Sequence, residues 1–411
     1  MATFIDERDA ALAVIQSLIY PNGVGAINGQ VHQDNETNQT NDAYANLWGY
    51  DNFSYRVVRN SGDDVANGTA LSLAYADALT LTPGGNALSP TNRAAVIVPP
   101  GTYALGAAGL DMTGNFVDLI GLGAPEDVII TSISNTNTGS GTIILNASMS
   151  DVILANLTFQ NTAATNVTGT DTDDSAFAPQ AVSPDHKVVN CIFRSDSLGS
   201  LAMRLAYEYA GVYANCSVAD GNGGSIAFAI ATGTFKNCTT NTEGFGYLGD
   251  ATGTFTDCSC RTGFGYGDGL TVSGTFINCK AQSNSFGFNI AGATTVTGKF
   301  YRCTADAASF GNSASGAYFE DCTVTNLGFG PPSFAATMAG TYVRCKGGVG
   351  SFGVINGSVL SGSFTDCEGG ASSFGAGTTC TLSGKFTRCV GGDNSFGQQS
   401  STLSGTFNYC I

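Results

Sequence analysis

Charge is scarce in this chain of 411 residues: Lys, Arg, Asp and Glu together make up 12% of it. Acidic residues outnumber basic ones 32 to 16, for a net charge of −16. That balance lacks the basic face that nucleic acid or anionic lipid requires. Histidine occurs only twice, at His32 and His186, so chemistry that needs an imidazole near neutral pH has almost nothing to use. No run approaches the roughly 18 apolar residues of a membrane-spanning helix, and no membrane insertion is expected. Glycine is abundant, at 55 residues, but has no three-residue period, which excludes a collagen-like chain. Met1 to Ile19 carries Asp6, Glu7 and Asp9 where a secretory leader has basic residues. Synthesis in a cytoplasm with reduced thiols is therefore expected.

What is present is one short sentence written repeatedly. It reads Gly233-Thr-Phe235-Lys-Asn-Cys238, then Gly274-Thr-Phe276-Ile-Asn-Cys279, and so on to Gly405-Thr-Phe407-Asn-Tyr-Cys410. The cysteine register holds at Cys258, Cys303, Cys322, Cys345, Cys367 and Cys389, with an aromatic three residues before each of the nine. A second phenylalanine, flanked by glycine or serine, follows each of these cysteines except Cys410 by six or seven residues, from Phe245 to Phe396. In most copies an apolar residue (Val272, Val296, Met338, Leu360, Leu382, Leu403) precedes the cysteine by seven.

The copies recur every 19 to 24 residues, a period that marks a solenoid. Phe, Thr, Val and Ser between glycines, with few helix formers, make the coils β. Leu382, Gly384 and Phe386 alternate onto one strand face, and a corner must fall between Phe386 and Cys389 if both point inward. Stacking at ~4.8 Å per coil then lines up one sulfur ladder and two phenylalanine ladders. The 13 cysteines read as buried thiols acting as small hydrophobes. A disulfide framework is the rival, but parallel stacked side chains are poorly aimed for the required dihedral. A ladder also spreads potential metal ligands along a line, so neither metal nor cofactor is expected.

Residues 1–20 read as a short amphipathic helix with Leu12, Ile15 and Ile19 on one stripe. Residues 21–50 resemble the N-terminal segments of tailed-phage tail and appendage proteins, through the step Gly25-Ala-Ile27-Asn-Gly29-Gln30. A second helix is expected over Thr69–Leu81. The run "RAAVIVPPGTY", followed by "FVDLIGLG" and "VILANLTFQNT", resembles the right-handed parallel β-helix of the pectin-lyase-like superfamily. That resemblance implies an all-β, single-stranded right-handed solenoid over 94–411, capped by a helix in 61–93, with residues 1–60 as an attachment arm. A polar stretch at 163–187 breaks the rhythm and reads as an insertion.

Irregular loops on a rigid scaffold are where sites are built. If the chain is an enzyme, it is a polysaccharide-cleaving hydrolase or lyase, and Asp173, Asp174, Asp185 or Glu208 carries the reaction, with Asp171, His186 and Arg204 nearby. Asp171-x-Asp173-Asp174 has the oxygen donors of a Ca²⁺ loop, but a solvated acidic loop is the preferred reading. The alternating Asp257, Arg302, Asp321, Arg344, Asp366 and Arg388 read as charge neutralisation between neighbouring coils.

The resemblance to phage proteins implies a structural or adhesive virion component, tailspike- or fibre-like. It implies a homotrimer joined to other tail or capsid proteins through residues 1–60 and the C-terminal coil, with a host-surface glycan as a further partner. A tailspike depolymerase, and a cellular surface adhesin or filament subunit, are the alternatives. The localisation expected is the virion, or else the cell surface.

Overall fold

The computed structural model describes residues 54–411, less 135–140, 147–148, 150, 164–174, 181–183, 196–200, 204–207, 220–227, 229, 242–243, 247–248, 266–268, 283–284, 288–293, 307–309, 311–312, 315, 330–334, 336, 354 and 398–399. The expected helix over 1–20 and most of the arm lie outside the described residues. The chain is a parallel β-solenoid. Its strands fall mainly into three stacks: one sheet of fifteen strands, a second of twelve, and a third of seven that begins at Thr271–Val272. Every coil pairs in parallel with the next, as in Phe235↔Phe255↔Phe276.

Residue chemistry explains each side of a coil. In the first sheet the central residue of each short strand is an inward aromatic, from Tyr213 to Phe407. The residue before every ladder cysteine, from Asn190 to Tyr409, has φ between 51° and 57°. This left-handed residue is the corner that the three-residue step demands, and Asn and Asp tolerate it best. The cysteine then points inward at the start of the second sheet.

A second left-handed corner was not legible. Phe228, Phe264, Phe286, Phe310, Phe352, Phe374 and Phe396 have φ between 47° and 59°, a conformation that costs about 1–2 kcal/mol for a side chain of this kind. Glycines at positive φ follow several of them (Gly265, Gly287, Gly353, Gly375, Gly397). The rings offset that strain. The first column stacks from Tyr213 to Phe407 with centroids 4.7–5.0 Å apart and planes within 9°. The second stacks from Phe228 to Phe396 at 4.6–5.1 Å. The columns meet edge to face, at interplanar angles such as 67° and 90°. Each such pair is worth about 0.5–1.5 kcal/mol beyond area burial, so several contacts per ring outweigh one strained residue.

The strand expected through Leu382, Gly384 and Phe386 is two strands, Thr381–Leu382 in the third sheet and Lys385–Thr387 in the first. The chain bends between them because Ser383 and Gly384 both donate their N–H to the Leu360 carbonyl. A Cβ on Gly384 would run into the Gly362 carbonyl oxygen, which is why a glycine column runs up this edge.

Near the N-terminal end the helix is Asp64–Ala78, starting earlier than expected. Asp63 caps it by accepting the Ala66 N–H at 2.8 Å. Asn67 and Gly68, residues of low helix propensity, are buried in its first turns. A Cβ on Gly68 would meet the Ala104 carbonyl, so close packing on the strand Gly101–Ala104 overrides propensity. Leu71, Tyr75 and Ala78 join one core that runs on through Cys389. The stretch read as an insertion contributes a strand, Ser175–Pro179, paired with Gly141–Leu145, and Phe177 is buried there.

All thirteen cysteines are free thiols; Cys410 alone is half-buried and the other twelve are buried. Most ladder thiols donate to a carbonyl of the coil below, as Cys238 does to Tyr213 at 3.4 Å and Cys389 to Phe364 at 3.4 Å. Burial pushes the Cys191 thiol up to about 12, and raises Cys238 well above the ordinary range. A thiol so protonated is a poor nucleophile. Titration with an aromatic disulfide reagent is therefore expected to find one fast thiol in the native protein and all thirteen in concentrated guanidinium chloride. A native count of several, or a denatured count near one, would contradict the ladder.

Candidate functional site

Asp171, Asp173, Asp174 and Arg204 lie outside the described residues. Asp185 is exposed just before the strand Lys187–Val189. Glu208 is half-buried in the strand Glu208–Tyr209 and accepts the Thr232 hydroxyl at 2.6 Å. Lys187 pairs with Val212, so Asp185 and Glu208 enter neighbouring coils a few residues ahead of that pair. His186 is a core residue: it is buried, and its Nε2 lies 2.8 Å from the Tyr213 hydroxyl. It stands beneath Gly211, where a Cβ would strike the imidazole. Among the described residues, no three His, Cys, Asp or Glu side chains converge where an ion could sit, and no helix is long and apolar enough to cross a membrane.

The corner column carries a ladder of side chains. Asn190 donates to Asn156 at 2.9 Å, Asn237 to Asn215 at 3.0 Å, and Asn278 to Asp257 at 2.9 Å. Arg302 Nε donates to Asn278 at 2.7 Å. Arg344 then reaches Asp321 and Glu320, and Arg388 grips both oxygens of Asp366 at 2.6 Å. These contacts bear out the expected neutralisation between coils. The Arg344 hydrogen bond holds the Asp321 carboxyl below its usual range, and Arg388 does the same for Asp366. Exposed pairs of this kind contribute little to stability; they fix side-chain positions.

One place on the outer face of the first sheet was missed. The register aligns Thr275, Lys299, Tyr318 and Thr341 in one outward column, and Ile277, Tyr301, Glu320 and Val343 in the next. The Tyr301 and Tyr318 rings lie 5.7 Å apart, tilted by 49°. The Tyr318 hydroxyl donates to Glu320 Oε2 at 3.0 Å. Both tyrosines adjoin a ladder phenylalanine in sequence, which hid them inside the aromatic motif. The signal was their offset: other copies carry Thr, Ser or Lys there, as in Thr254, Ser363 and Thr365.

No family model matches the chain, and no curated protein matches it. Among solved structures, the chain is similar to ORF18 of Geobacillus virus E2, with 10% identity and a TM-score of 0.31. The match covers 92% of this chain and 63% of that one, so the chain spans less than two thirds of that protein's length. A likeness at this level carries no argument for function.

Proposed function

We propose that the chain is a structural and adhesive component of a tailed-phage virion, tailspike- or fibre-like, that presents a rigid solenoid to the host surface. The observation that carries this reading is the double aromatic ladder, unbroken from Tyr213 to Phe407. Stacked coils bury a continuous core that no single repeat could bury, which makes a stiff rod. The resemblance of residues 21–50 to phage tail segments supports taking that end as the attachment end. A homotrimer is part of the proposal. The third sheet's outward residues, such as Thr295, Thr297, Thr337, Ser361, Thr381 and Ser383, are uncharged and small, and allow side-by-side packing of coils. Leu403, Tyr409 and Ile411 are exposed apolar side chains and are assigned to contacts with trimer mates or other virion proteins.

The test uses purified particles and purified protein. Antibodies against residues 190–411 are expected to decorate the tail in electron micrographs. Light scattering is expected to give three times the 42.0 kDa of one chain. Labelled protein should adsorb to host cells without releasing reducing ends or unsaturated sugar from their polysaccharide. Particles that lack the chain by mass spectrometry would remove the virion reading, a monomer would remove the trimer, and released sugar would make the depolymerase the better reading.

A further inference from the structure

We propose that the outward face of the first sheet around Tyr301 and Tyr318 is a sugar-binding platform for an acidic polysaccharide. This rests on reading the rod as adhesive, and names where on the rod a host glycan sits. Three observations on this patch carry it.

The first is the aromatic pair. Outward positions of this sheet elsewhere in the ladder carry non-aromatic side chains, such as Thr254, Thr256, Ile277, Val343, Ser363 and Lys385. Only here do two rings from neighbouring coils stand together, half-buried, at 5.7 Å and 49°. A tyrosine ring exposed on a rigid sheet offers an apolar face with a polar edge, which suits the C–H face of a pyranose ring. As a structural pair it would contribute little to the stability of the sheet.

The second is preorganisation. Tyr318 is tied to Glu320 at 3.0 Å, and Arg344 spans Glu320 and Asp321, reaching the latter at 2.7 Å and 3.0 Å. Hydrogen-bonding groups beside the rings are thus fixed before a ligand arrives, which lowers the cost of ordering them on binding.

The third is charge. The patch holds Lys299, Arg302 and Arg344 against Glu320 and Asp321, one net positive charge on a chain whose net charge is −16. Arg344 is occupied by the two carboxylates. Lys299 is exposed, and no carboxylate among the described residues pairs with it. Lys299, with Arg302, whose Nε donates to the neutral Asn278 amide at 2.7 Å, is left to meet a sugar carboxylate.

The probes are hexagalacturonate as the acidic sugar and maltohexaose as the neutral one, followed by saturation-transfer NMR on the full chain. The variants are Tyr301→Thr with Tyr318→Thr, and Lys299→Thr; threonine already occupies these columns at Thr256, Thr365, Thr254 and Thr341, so the fold has a precedent for each. The expected result is binding of hexagalacturonate by the parent, a loss of at least about tenfold in the tyrosine double variant, and a comparable loss in Lys299→Thr. Circular dichroism and light scattering should be unchanged in both. Hexagalacturonate left unbound by the parent, or bound equally by the variants, overturns the platform. Equal binding of maltohexaose with no effect of Lys299→Thr overturns the acidic specificity. If the double variant dissociates the oligomer, the face is a contact between copies and the proposal is wrong. Cell adsorption separates this from the broader reading: a double variant that adsorbs as well as the parent removes the platform alone, whereas a parent that adsorbs to no cells removes the adhesive reading as well.

Discussion

Phe300→Ala is expected to destabilise the solenoid by about 3–5 kcal/mol, the range for emptying a buried aromatic site. The ring has four aromatic neighbours. It stacks on Phe276 at 4.8 Å and on Phe319 at 4.7 Å, and it meets Phe286 and Phe310 edge to face, each at 5.7 Å. No part of it reaches solvent. The coils are stacked at hydrogen-bonding distance and cannot close on the gap, because the backbone ladder fixes their spacing at ~4.8 Å.

The position of the lesion matters as much as its size. In a one-dimensional stack each coil is held by its two neighbours. An alanine at Phe300 weakens the coupling between the coils before and after it, so the urea transition should broaden as well as move to lower denaturant. Phe396 is the comparison. It is half-buried, stacks only on Phe374 at 4.8 Å, and touches Phe386 and Phe407 at 6.2 and 6.3 Å. Phe396→Ala should cost distinctly less and leave the slope of the main transition unchanged. Equal costs at the two positions would mean that the ladder is not the cooperative element.

The repeat was legible because its chemistry is redundant. An inward aromatic, a cysteine three residues on and a second phenylalanine define three directions into one core, and that triple recurs with little change. Phe228 escaped because "SIAFAIATG" lacks the glycine after the phenylalanine, although its ring stacks on Phe245 at 5.1 Å. The bend at Gly384 was hidden because alternation over Leu382, Gly384 and Phe386 reads the same in one strand as across two. What distinguishes them is a carbonyl shared by two N–H groups, which leaves no mark on side-chain pattern. The helix start at Asp64 was missed because Gly68 obeys a packing constraint from Ala104 and Asn67 donates to the Thr102 carbonyl, both distant in sequence. For the candidate carboxylates, composition pointed to an acidic loop, but nothing in sequence reports which partner a side chain has. Glu208 finds Thr232, and His186 finds Tyr213, each in the following coil.

Arg93→Ala is expected to cost about 3–5 kcal/mol, as for a buried ion pair broken by removing one partner. The guanidinium ties three coils together. It donates to both oxygens of Asp118 at 2.8 and 2.5 Å, and to Asp151 at 2.8 Å. It also lies 5.6 Å from the centre of the Phe116 ring. Asp118 is wholly buried beside Ile97 and Ile120, which pack in a small cluster on the outer side of the first sheet. Its Oδ1 also accepts the Ile153 N–H at 2.7 Å, so the carboxylate fixes the register of the next strand. Without Arg93 that charge stays buried in the protein and loses the cation that faces it. Arg93→Lys should rescue little, because an ammonium is a point charge and cannot span two carboxylates in a plane. Arg93→Met with Asp118→Leu is expected to recover part of the loss: it removes the desolvation cost of the buried pair, but leaves Asp151 without its cation and the Ile153 N–H without the Asp118 acceptor. Hydrogen exchange locates the effect. In Arg93→Ala the amides of Ala94–Val98 and Val117–Gly121 should lose protection while those of the phenylalanine ladder keep theirs, because nearest-neighbour stacks fail locally. A cost below about 1 kcal/mol, the level of an exposed pair, would show that the triad is ornamental. Loss of protection along the whole rod would show that the first coils nucleate the rest.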